Sequence, residues 1–357
     1  MNDAVMIAMS GGVDSAVAAH LIAAKGTAAG VTMEHLSYES ETARLTAAAD
    51  IADAAAVCAA LGIPHYVADL RENFRRLVIE PFIASYTAGE TPNPCIVCNQ
   101  KIKFGALADF AARQGYPHLA TGHYARIERD SYGRYLLRRA KDEAKDQTYV
   151  LYTLTQGMLA TTHFPLGELT KSEVREIAAG LGFSAAAKGD SQDICFIPDG
   201  DYTAFIARHT HTPFPPGDFL STDGRVLGRH NGIIHYTPGQ RKGLGIALGK
   251  PAYVVSKSAA ENIVVLGDNE DLYSRRLMVR DINLIPFERF SAPMRLYAKA
   301  RYRQAPAPAR VEQTAPDELT VEFESPQRAL APGQALVLYD GDYVVGGGTI
   351  CDMKGVT

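Results

Sequence analysis

The sequence predicts an α/β protein, with an N-terminal open parallel sheet over residues 1–207, a small β-rich central domain over 208–270 and a C-terminal β-barrel over 271–357. Three observations carry the prediction. Apolar runs of strand length alternate with helical segments through the N-terminal half, the pattern of right-handed βαβ units. A linker of Pro213, Pro215, Pro216 and Gly217 then breaks the pattern. Beyond it the chain reads as short strands broken by Gly, Asp and Asn, which suits small β domains and a barrel.

Val5 to Met9 is an apolar run of the kind found in central strands. Ser10-Gly11-Gly12-Val13-Asp14-Ser15 makes a turn, and a helix follows with Val17, Leu21 and Ala24 on one face and Gly26 as its stop. Ala29 to Met33 is a second strand, residues 34–45 a polar loop, Ala47 to Leu61 a helix closed by Gly62, and His65 to Leu70 a third strand. Asn73 to Tyr86 is helical. Gly89 to Asn99 sets Pro92 and Pro94 beside Cys95 and Cys98, which reads as a stiff, extended loop. A helix with Phe104, Leu107, Phe110 and Ala111 inward follows it. His118 to Thr121 is a strand ending at Gly122, and Arg126 to Arg138 a hairpin turning at Gly133. Lys145-Asp146-Gln147 opens a helix that runs through Leu154, and Lys171 to Leu181 is an amphipathic helix ended by Gly182. Phe219-Leu220, Gly232 to Tyr236, Tyr253 to Val255 and Ile263 to Leu266 are the central strands. Leu296 to Tyr302, Leu319 to Phe323, Ala335 to Tyr339 and Tyr343 to Gly346 belong to the barrel.

Bulk properties narrow the function classes. The chain has 357 residues, 46% of them hydrophobic, enough for a sizeable core without disulfide staples. A net charge of −4 excludes a globally basic nucleic-acid coat but leaves room for a local basic patch. No stretch approaches the roughly 20 apolar residues of a membrane span, and the N-terminus lacks the pattern of a signal peptide. Five cysteines in a chain of this length point to a reducing compartment, so a cytoplasmic location is expected.

The turn at Ser10 to Ser15 carries the first chemistry. Gly11 and Gly12 let the backbone bend sharply and expose N–H groups, and the helix behind them offers its positive dipole end to an anion. The Gly-Lys-Ser/Thr ending of a Walker loop is missing. Ser-Gly-Gly-x-Asp-Ser instead resembles the PP-loop of ATP pyrophosphatases, which cleave ATP between its α and β phosphates. Ligands of open α/β sheets lie beyond the carboxyl ends of the strands, where Met33 and Gly122 also fall. Met33 there either contacts adenine or packs in the core.

The cysteines decide what the nucleotide is for. Cys95 and Cys98 form a CxxC with no second pair, so a four-cysteine zinc site is not available. Cys58 falls on the apolar face of its helix and reads as a core thiol. Cys195 sits among polar residues. An adenylating loop with two polar-loop cysteines suggests sulfur transfer, in which one thiol carries sulfur as a persulfide and the other resolves it. Asp190 and Asp193 would raise the pKa of a Cys195 thiol, and a cation or the substrate must offset them. Three thiols could instead ligate an iron–sulfur cluster with one open iron. From Arg275 to Arg310 nine Arg or Lys face Asp281 and Glu288, with Tyr297 and Tyr302 interleaved, a pattern suited to phosphate contact and base stacking. The basic loop Gly239 to Gly245 is a further phosphate candidate.

Taken together the chain resembles the bacterial tRNA-specific 2-thiouridylases, the MnmA family, over nearly its whole length. The marks are Met9 to Ser15, Thr91-Pro-Asn-Pro with Cys98-Asn99, Ala120-Thr-Gly-His-Tyr124, Lys145-Asp-Gln147, Asp190-Ser with Ile194-Cys-Phe-Ile197, Tyr236-Thr with Gly239 to Ile246, and Arg301-Tyr-Arg-Gln304. The resemblance implies ATP-dependent 2-thiolation of the wobble uridine of tRNA. It places ATP, with Mg²⁺, on Ala8, Met9, Ser10, Gly11, Gly12, Val13, Asp14, Ser15, Met33 and Gly122. It makes Cys98 and Cys195 the catalytic pair, joined transiently as a disulfide, with sulfur supplied by a relay protein or a cysteine desulfurase. It sets the target base against Asn93, Pro94 and Cys95. The anticodon stem-loop would meet His123, Lys145, Asp146, Gln147, Arg301, Tyr302 and Gln334. Some relatives carry Asp where this chain has Cys95, so Cys95, Cys98 and Cys195 are the candidate cluster ligands. The rival readings are a PP-loop synthetase acting on a small molecule, which has no use for the two cysteines, an RNA-binding module with structural ATP, and a thiol oxidoreductase, which leaves the loop unexplained.

Overall fold

Strand β1 (Val5–Ala8) carries no polar side chain because both of its faces are covered, and Met6 and Ile7 are fully buried. The computed structural model describes residues 4–37, 41–183, 194–210 and 213–351, apart from the side chains of residues 42 and 43. The chain forms two units, one from Met1–Ile79, Cys95–Gln192 and Asp342–Val345, the other from Glu80–Pro94, Asp193–Gly341 and Gly346–Thr357.

In the first unit β1 is the central strand of a five-stranded sheet of order β3-β2-β1-β4-β7. Its partners are β2 (Ala28–Glu34), β3 (His65–Asp69), β4 (His118–Ala120) and β7 (Thr162–His163), and every pairing is parallel. The order reverses direction at β1, so the carboxyl ends of β1 and β4 flank a topological switch point. Helix α1 (Val13–Ala23) buries Val13, Ser15, Ala16, Val17, Ala18, Ala19 and Ile22, more than one stripe. Ala24 is its exposed C-cap, and Gly26 lies beyond its end. Helix α2 (Glu41–Ala60) begins six residues before the expected Ala47, because Glu41, Arg44 and Leu45 are good helix formers and an acid lies in the first turn. Gly30 on β2 has no room for a Cβ, which would overlap Cys58 Sγ of α2. Cys58 is accordingly a packed core thiol, fully buried.

The segment expected as a helix over residues 73–86 is found as α3 (Arg71–Phe74), a π-helical turn Arg75–Ile79, and α4 (Glu80–Thr87). The CxxC departs from expectation. It is not an extended loop but the start of a helical run: α5 (Pro94–Val97), a π-helix Cys98–Leu107, and α6 (Ala108–Arg113). Pro94 starts this run, a place where proline costs no hydrogen bond and its fixed φ suits the helix. Phe104, Leu107 and Ala111 point inward as expected, and Phe110 is half-buried.

The hairpin β5 (Arg126–Arg129) and β6 (Tyr135–Arg138) forms as read, and pairs with Tyr343 through Arg138. Lys145 to Leu154 is not an α-helix. It folds as turns around a 3-10 segment Thr148–Val150, with Tyr149, Leu151, Tyr152 and Leu154 buried on all sides. Helices α7 (Gln156–Ala160) and α8 (Lys171–Gly180) complete the unit.

The second unit opens on α4, with α9 (Tyr202–His209) in the same unit. Its four-stranded sheet has the order β10-β11-β8-β9. The strands are β8 (Gly217–Ser221), β9 (Val226–His230), β10 (Tyr253–Ser258) and β11 (Ile263–Gly267). Gly232 to Tyr236 is a 3-10 turn rather than a strand, and its Tyr236 packs edge-on to Phe219 and His230. The barrel consists of β12 (Tyr273–Leu284), β13 (Met294–Lys299), β14 (Ala307–Ala315), β15 (Glu318–Arg328), β16 (Ala335–Asp340) and β17 (Tyr343–Ile350), in the order β12-β15-β14-β13-β16-β17. It closes where β17 pairs back to β12, Val279 with Ile350 and Leu284 with Gly346. A Cβ at Gly346 would overlap the Asn283 carbonyl, so the glycine run of β17 lets the seam close. Strands β9, β12 and β14 escape the sequence reading: β9 has no buried aliphatic residue, charged residues flank the buried Leu277 and Val279 of β12, and β14 buries only Ala309 and Val311.

Candidate active site

Gly11 takes a left-handed φ of 71°, and a Cβ on it would come within 2.8 Å of the Asp50 carbonyl of α2. Glycine is therefore required for both reasons. The turn is held from inside: Ser15 Oγ donates to the Gly12 carbonyl at 2.9 Å and accepts from the Ser10 N–H at 3.2 Å. Gly12 is the N-cap of α1 and gives no side-chain cap, so the first N–H groups of the helix remain available for an anion. Met9 is buried and its N–H donates to the Val31 carbonyl at 2.7 Å, while Ser10 is exposed. Met33 lies near the carboxyl end of β2, partly exposed, and Gly122 just beyond β4. A Cβ on Gly122 would lie 3.0 Å from the Asp14 carbonyl carbon and 3.1 Å from the Ser15 nitrogen. The end of β4 thus packs on the turn itself, and Ala8 to Ser15, Met33 and Gly122 share one edge of the sheet.

Asp14 is held by two groups that sequence reasoning missed. Lys171 Nζ lies 2.8 Å from each of its carboxylate oxygens, and Tyr124 Oη donates to Oδ1 at 2.8 Å. Lys171 is the first residue of α8, whose N-terminus carries a full capping box from Thr170 and Glu173. A cation in that turn opposes the helix dipole, and the Asp14 carboxylate offsets it.

Cys95 is exposed and Cys98 half-buried at the start of their helix. Surrounding protein raises both thiol pKa values, and the Lys103 ammonium opposes the rise. Asn99 is buried and donates to the Val150 carbonyl at 3.0 Å, fixing the helix against the turn after Gln147. His123 is buried. Burial, reinforced by Lys103, pushes its imidazole well below the usual range, so it is neutral at pH 7. Lys103 Nζ sits 3.5 Å from His123 Nε2, which leaves Nδ1–H to donate to Thr121 Oγ1 at 2.6 Å. Lys145, Asp146 and Gln147 are half-buried. The Gln147 N–H donates to the Tyr124 carbonyl at 3.0 Å, and its side-chain carbonyl takes the Tyr124 N–H at 2.9 Å.

In the second unit Cys195 is an exposed thiol in a turn, anchored by its neighbour Phe196, which is buried against Phe82 and Phe205. Asp190 and Asp193, invoked for its thiol, lie outside the described residues. The loop carrying Asn93 and Pro94 is tied down two residues earlier. The Thr91 N–H donates to the Pro332 carbonyl at 2.8 Å and its carbonyl accepts from Gln334 Nε2 at 2.7 Å. Gln334 therefore supports that loop. Arg301 donates to the Ala329 carbonyl at 2.7 Å, and Tyr302 is 41% exposed with Lys299 Nζ 5.5 Å from its ring centroid. Of the basic stretch, Arg276, Arg280 and Arg295 make ion pairs with Glu322, Glu90 and Glu324. Arg310 is exposed between them on β14. None of the five cysteines is in a disulfide. Among the described residues no helix is long and apolar enough to cross a membrane.

An uncapped helix behind a glycine turn, at the switch point of a parallel sheet, defines an α/β domain of the kind that holds nucleotide phosphates at its strand ends. Family models agree on its parts: a tRNA methyl transferase HUP domain matches residues 3–199, a tRNA methyl transferase PRC-barrel domain 203–268, and an aminomethyltransferase beta-barrel domain 274–350. The tRNA-specific 2-thiouridylase MnmA of Clostridioides difficile is 46% identical over 98% of both chains. That of Moorella thermoacetica is 50% identical over 97% of this chain and 98% of its own, and that of Lachnoclostridium phytofermentans 47% over 97% and 99%. The chain belongs to the MnmA family of tRNA-specific 2-thiouridylases.

Proposed function

We propose that the chain is a tRNA-uridine 2-sulfurtransferase that uses MgATP to replace O2 of the wobble uridine, position 34, by sulfur, forming 2-thiouridine, AMP and pyrophosphate. The observation that carries the reading is the pairing of the loop Ser10 to Ser15 with Cys98 and Cys195, in a chain 46% and 50% identical to relatives named for that activity.

A carbonyl oxygen is a poor leaving group, and adenylation remedies this. Uridine O2 attacks the α-phosphorus, forming an O–P bond and expelling pyrophosphate. Ala8 to Ser15, Met33 and Gly122 hold the nucleotide, and the free N–H groups of α1 meet its phosphate charge. Mg²⁺ enters with the nucleotide as part of the substrate. The base leaves the anticodon stack to react, since its C2 carbonyl is otherwise covered, and rests against Asn93, Pro94 and Cys95. His123, Lys145 to Gln147, Arg301, Tyr302 and Gln334 serve the anticodon stem-loop.

Cys195 carries sulfur as a persulfide received from a sulfur-relay protein or a cysteine desulfurase. Its terminal sulfur bonds to C2, and AMP departs with the oxygen. The Cys98 thiolate then attacks the Cys195 sulfur, breaking the persulfide bond and leaving the electron pair on the new thiocarbonyl. The resulting Cys98–Cys195 disulfide is reopened by a thiol reductant. Three domains, divided near residues 207 and 270, and a cytoplasmic location are part of the same reading. The alternative is an iron–sulfur-dependent form of the same thiolation, with Cys95, Cys98 and Cys195 as the residues that would hold the cluster; the two-thiol route needs no such group.

Mass analysis of tRNA from cells lacking the protein tests the reading. Loss of 2-thiouridine at position 34 is expected, and its persistence overturns the proposal. Native protein given ATP and a sulfur donor should thiolate tRNA, while Cys98→Ser and Cys195→Ser proteins should bind it and fail to thiolate it; an RNA-binding module would thiolate in none of the three.

A further inference from the structure

Two chains of contacts run from Asp14 in the nucleotide loop to residues 140–148. The first passes through Tyr124, which is 3% exposed. Its phenol donates to Asp14 Oδ1 at 2.8 Å, while its backbone clamps Gln147 with one bond in each direction, at 2.9 and 3.0 Å. The second passes through Lys171. Its ammonium holds both oxygens of Asp14, and its backbone N–H donates to Asp142 Oδ2 at 2.9 Å. The Asp142 carbonyl in turn accepts from the Lys145 N–H at 3.0 Å. Asp146 braces the segment, taking the Ala140 N–H at 3.1 Å and the Thr148 hydroxyl at 2.7 Å. Gly122, two residues before Tyr124, packs tightly on Asp14: a Cβ there would lie 3.0 Å from the Asp14 carbonyl carbon. All of these residues belong to the first unit.

We propose that Tyr124 and Lys171 are positioning residues that couple the Lys145–Gln147 segment to Asp14, so that RNA seated on that segment favours the nucleotide-binding form of the loop. The inference rests on the reading of Lys145 to Gln147 as an RNA contact. Its physical content is a shared network. A shift of Gln147 moves the Tyr124 backbone, and Tyr124 cannot move without altering its bond to Asp14. A ligand that selects one arrangement of the segment therefore selects one arrangement of the loop. Coupling of this kind is reciprocal, so nucleotide must tighten RNA binding by the factor by which RNA tightens nucleotide binding. The arrangement also makes chemical sense: ATP would be engaged fully when the base that accepts AMP is in place.

The test uses the full chain, an α,β-methylene ATP analogue that is not cleaved, and an unmodified anticodon stem-loop RNA. Each ligand is titrated with and without the other. In the native protein each should tighten the other about tenfold, within the usual range of coupling. Tyr124→Phe keeps the ring and leaves Asp14 paired with Lys171. It should bind each ligand alone with near-native affinity and lose the mutual enhancement to within about twofold. Full enhancement in Tyr124→Phe overturns the proposal. So does a loss of nucleotide affinity that is equal with and without RNA, which would mark a purely structural role. Asp142→Asn loosens the second route without touching Asp14. It should reduce the same enhancement, and it decides the matter if Tyr124→Phe fails to fold. Native protein that binds the analogue but no stem-loop overturns the functional reading and this inference together. Native protein that binds both ligands without mutual effect overturns this inference alone.

Discussion

The Lys171 ammonium lies 2.8 Å from both carboxylate oxygens of Asp14, a residue 157 positions earlier in the chain. The lysine side chain is 11% exposed and the aspartate 32%, so the pair is partly withdrawn from water. Lys171→Met leaves that carboxylate with Tyr124 alone. The expected cost is about 1–3 kcal/mol, between the values for exposed and buried pairs broken on one side. Urea unfolding measures it, and the double variant with Asp14→Asn should lose less than the sum of the singles. Additive losses would show that the contact has no energetic weight.

The cysteines should separate by reactivity. Burial pushes the Cys58 thiol up to about 11, and it stays unlabelled by iodoacetamide until the protein unfolds. Cys98 labels, with a rate that rises with pH through a midpoint above that of an ordinary thiol, because its environment favours the neutral form. Lys103 opposes that shift. Lys103→Met should therefore move the midpoint higher and slow labelling at pH 7.5 several-fold, without changing the fold by circular dichroism.

Acid should destabilise the protein before its carboxylates titrate. Burial lowers the pKa of His35, His65, His123 and His230, so these rings are neutral when folded. Below about pH 6.5 the unfolded chain takes up protons that the folded chain refuses, and stability falls as pH falls. His123, the most enclosed of the four, contributes a slope of up to about 1.4 kcal/mol per pH unit until its own folded pKa is reached. Unfolding free energies at pH 7.5, 6.5 and 5.5 reveal the slope, and His123→Gln should flatten it.

Binding of tRNA should depend on salt through the barrel face. Arg310 lies opposite Glu322 on β15 and Arg295 on β13, and Arg276 pairs with the same glutamate. Arg310→Ala should reduce the slope of log affinity against log salt by about one. Glu322→Gln, which releases Arg276, should steepen it. Slopes that match the native protein in both variants would assign this face to solvent.

Persulfide and disulfide chemistry requires no iron. Protein purified under nitrogen should contain neither iron nor acid-labile sulfide and still thiolate an RNA stem-loop when given a sulfur donor and ATP. Iron in stoichiometric amount, lost together with activity on chelation, would replace that mechanism by one on a cluster.

The α/β alternation, the glycine turn and the ends of β1, β2 and β4 were legible because local patterns dictate them. A parallel strand buried on both faces is apolar along its length, and a positive-φ turn that also packs against a neighbouring backbone needs glycine. Gly11 shows both requirements at one position. The helical state of the CxxC was not legible. Proline forbids a helix interior and equally favours a helix start, and the residues after Pro94 fit either reading. Strand β14 was hidden because one face lies in water and carries charge while the other is filled by residues as small as Ala309, and β12 because Arg275, Arg276, Arg280 and Asp281 interrupt the run around the buried Leu277 and Val279. The Lys145–Leu154 segment misled for the opposite reason. Its apolar residues are buried in every direction, so the pattern has no period to read.

By itself, then, the sequence determined the sheet, the nucleotide loop and the thiols, since these depend on residue types at short spacing. The tertiary structure decided which distant groups meet that loop. Tyr124 and Lys171 reach Asp14 across 110 and 157 positions, on a strand end and a helix start brought together by crossover connections. Coulomb attraction and hydrogen bonding act over a few ångströms of space, whatever the separation along the chain, and no spacing rule in the sequence could have paired them.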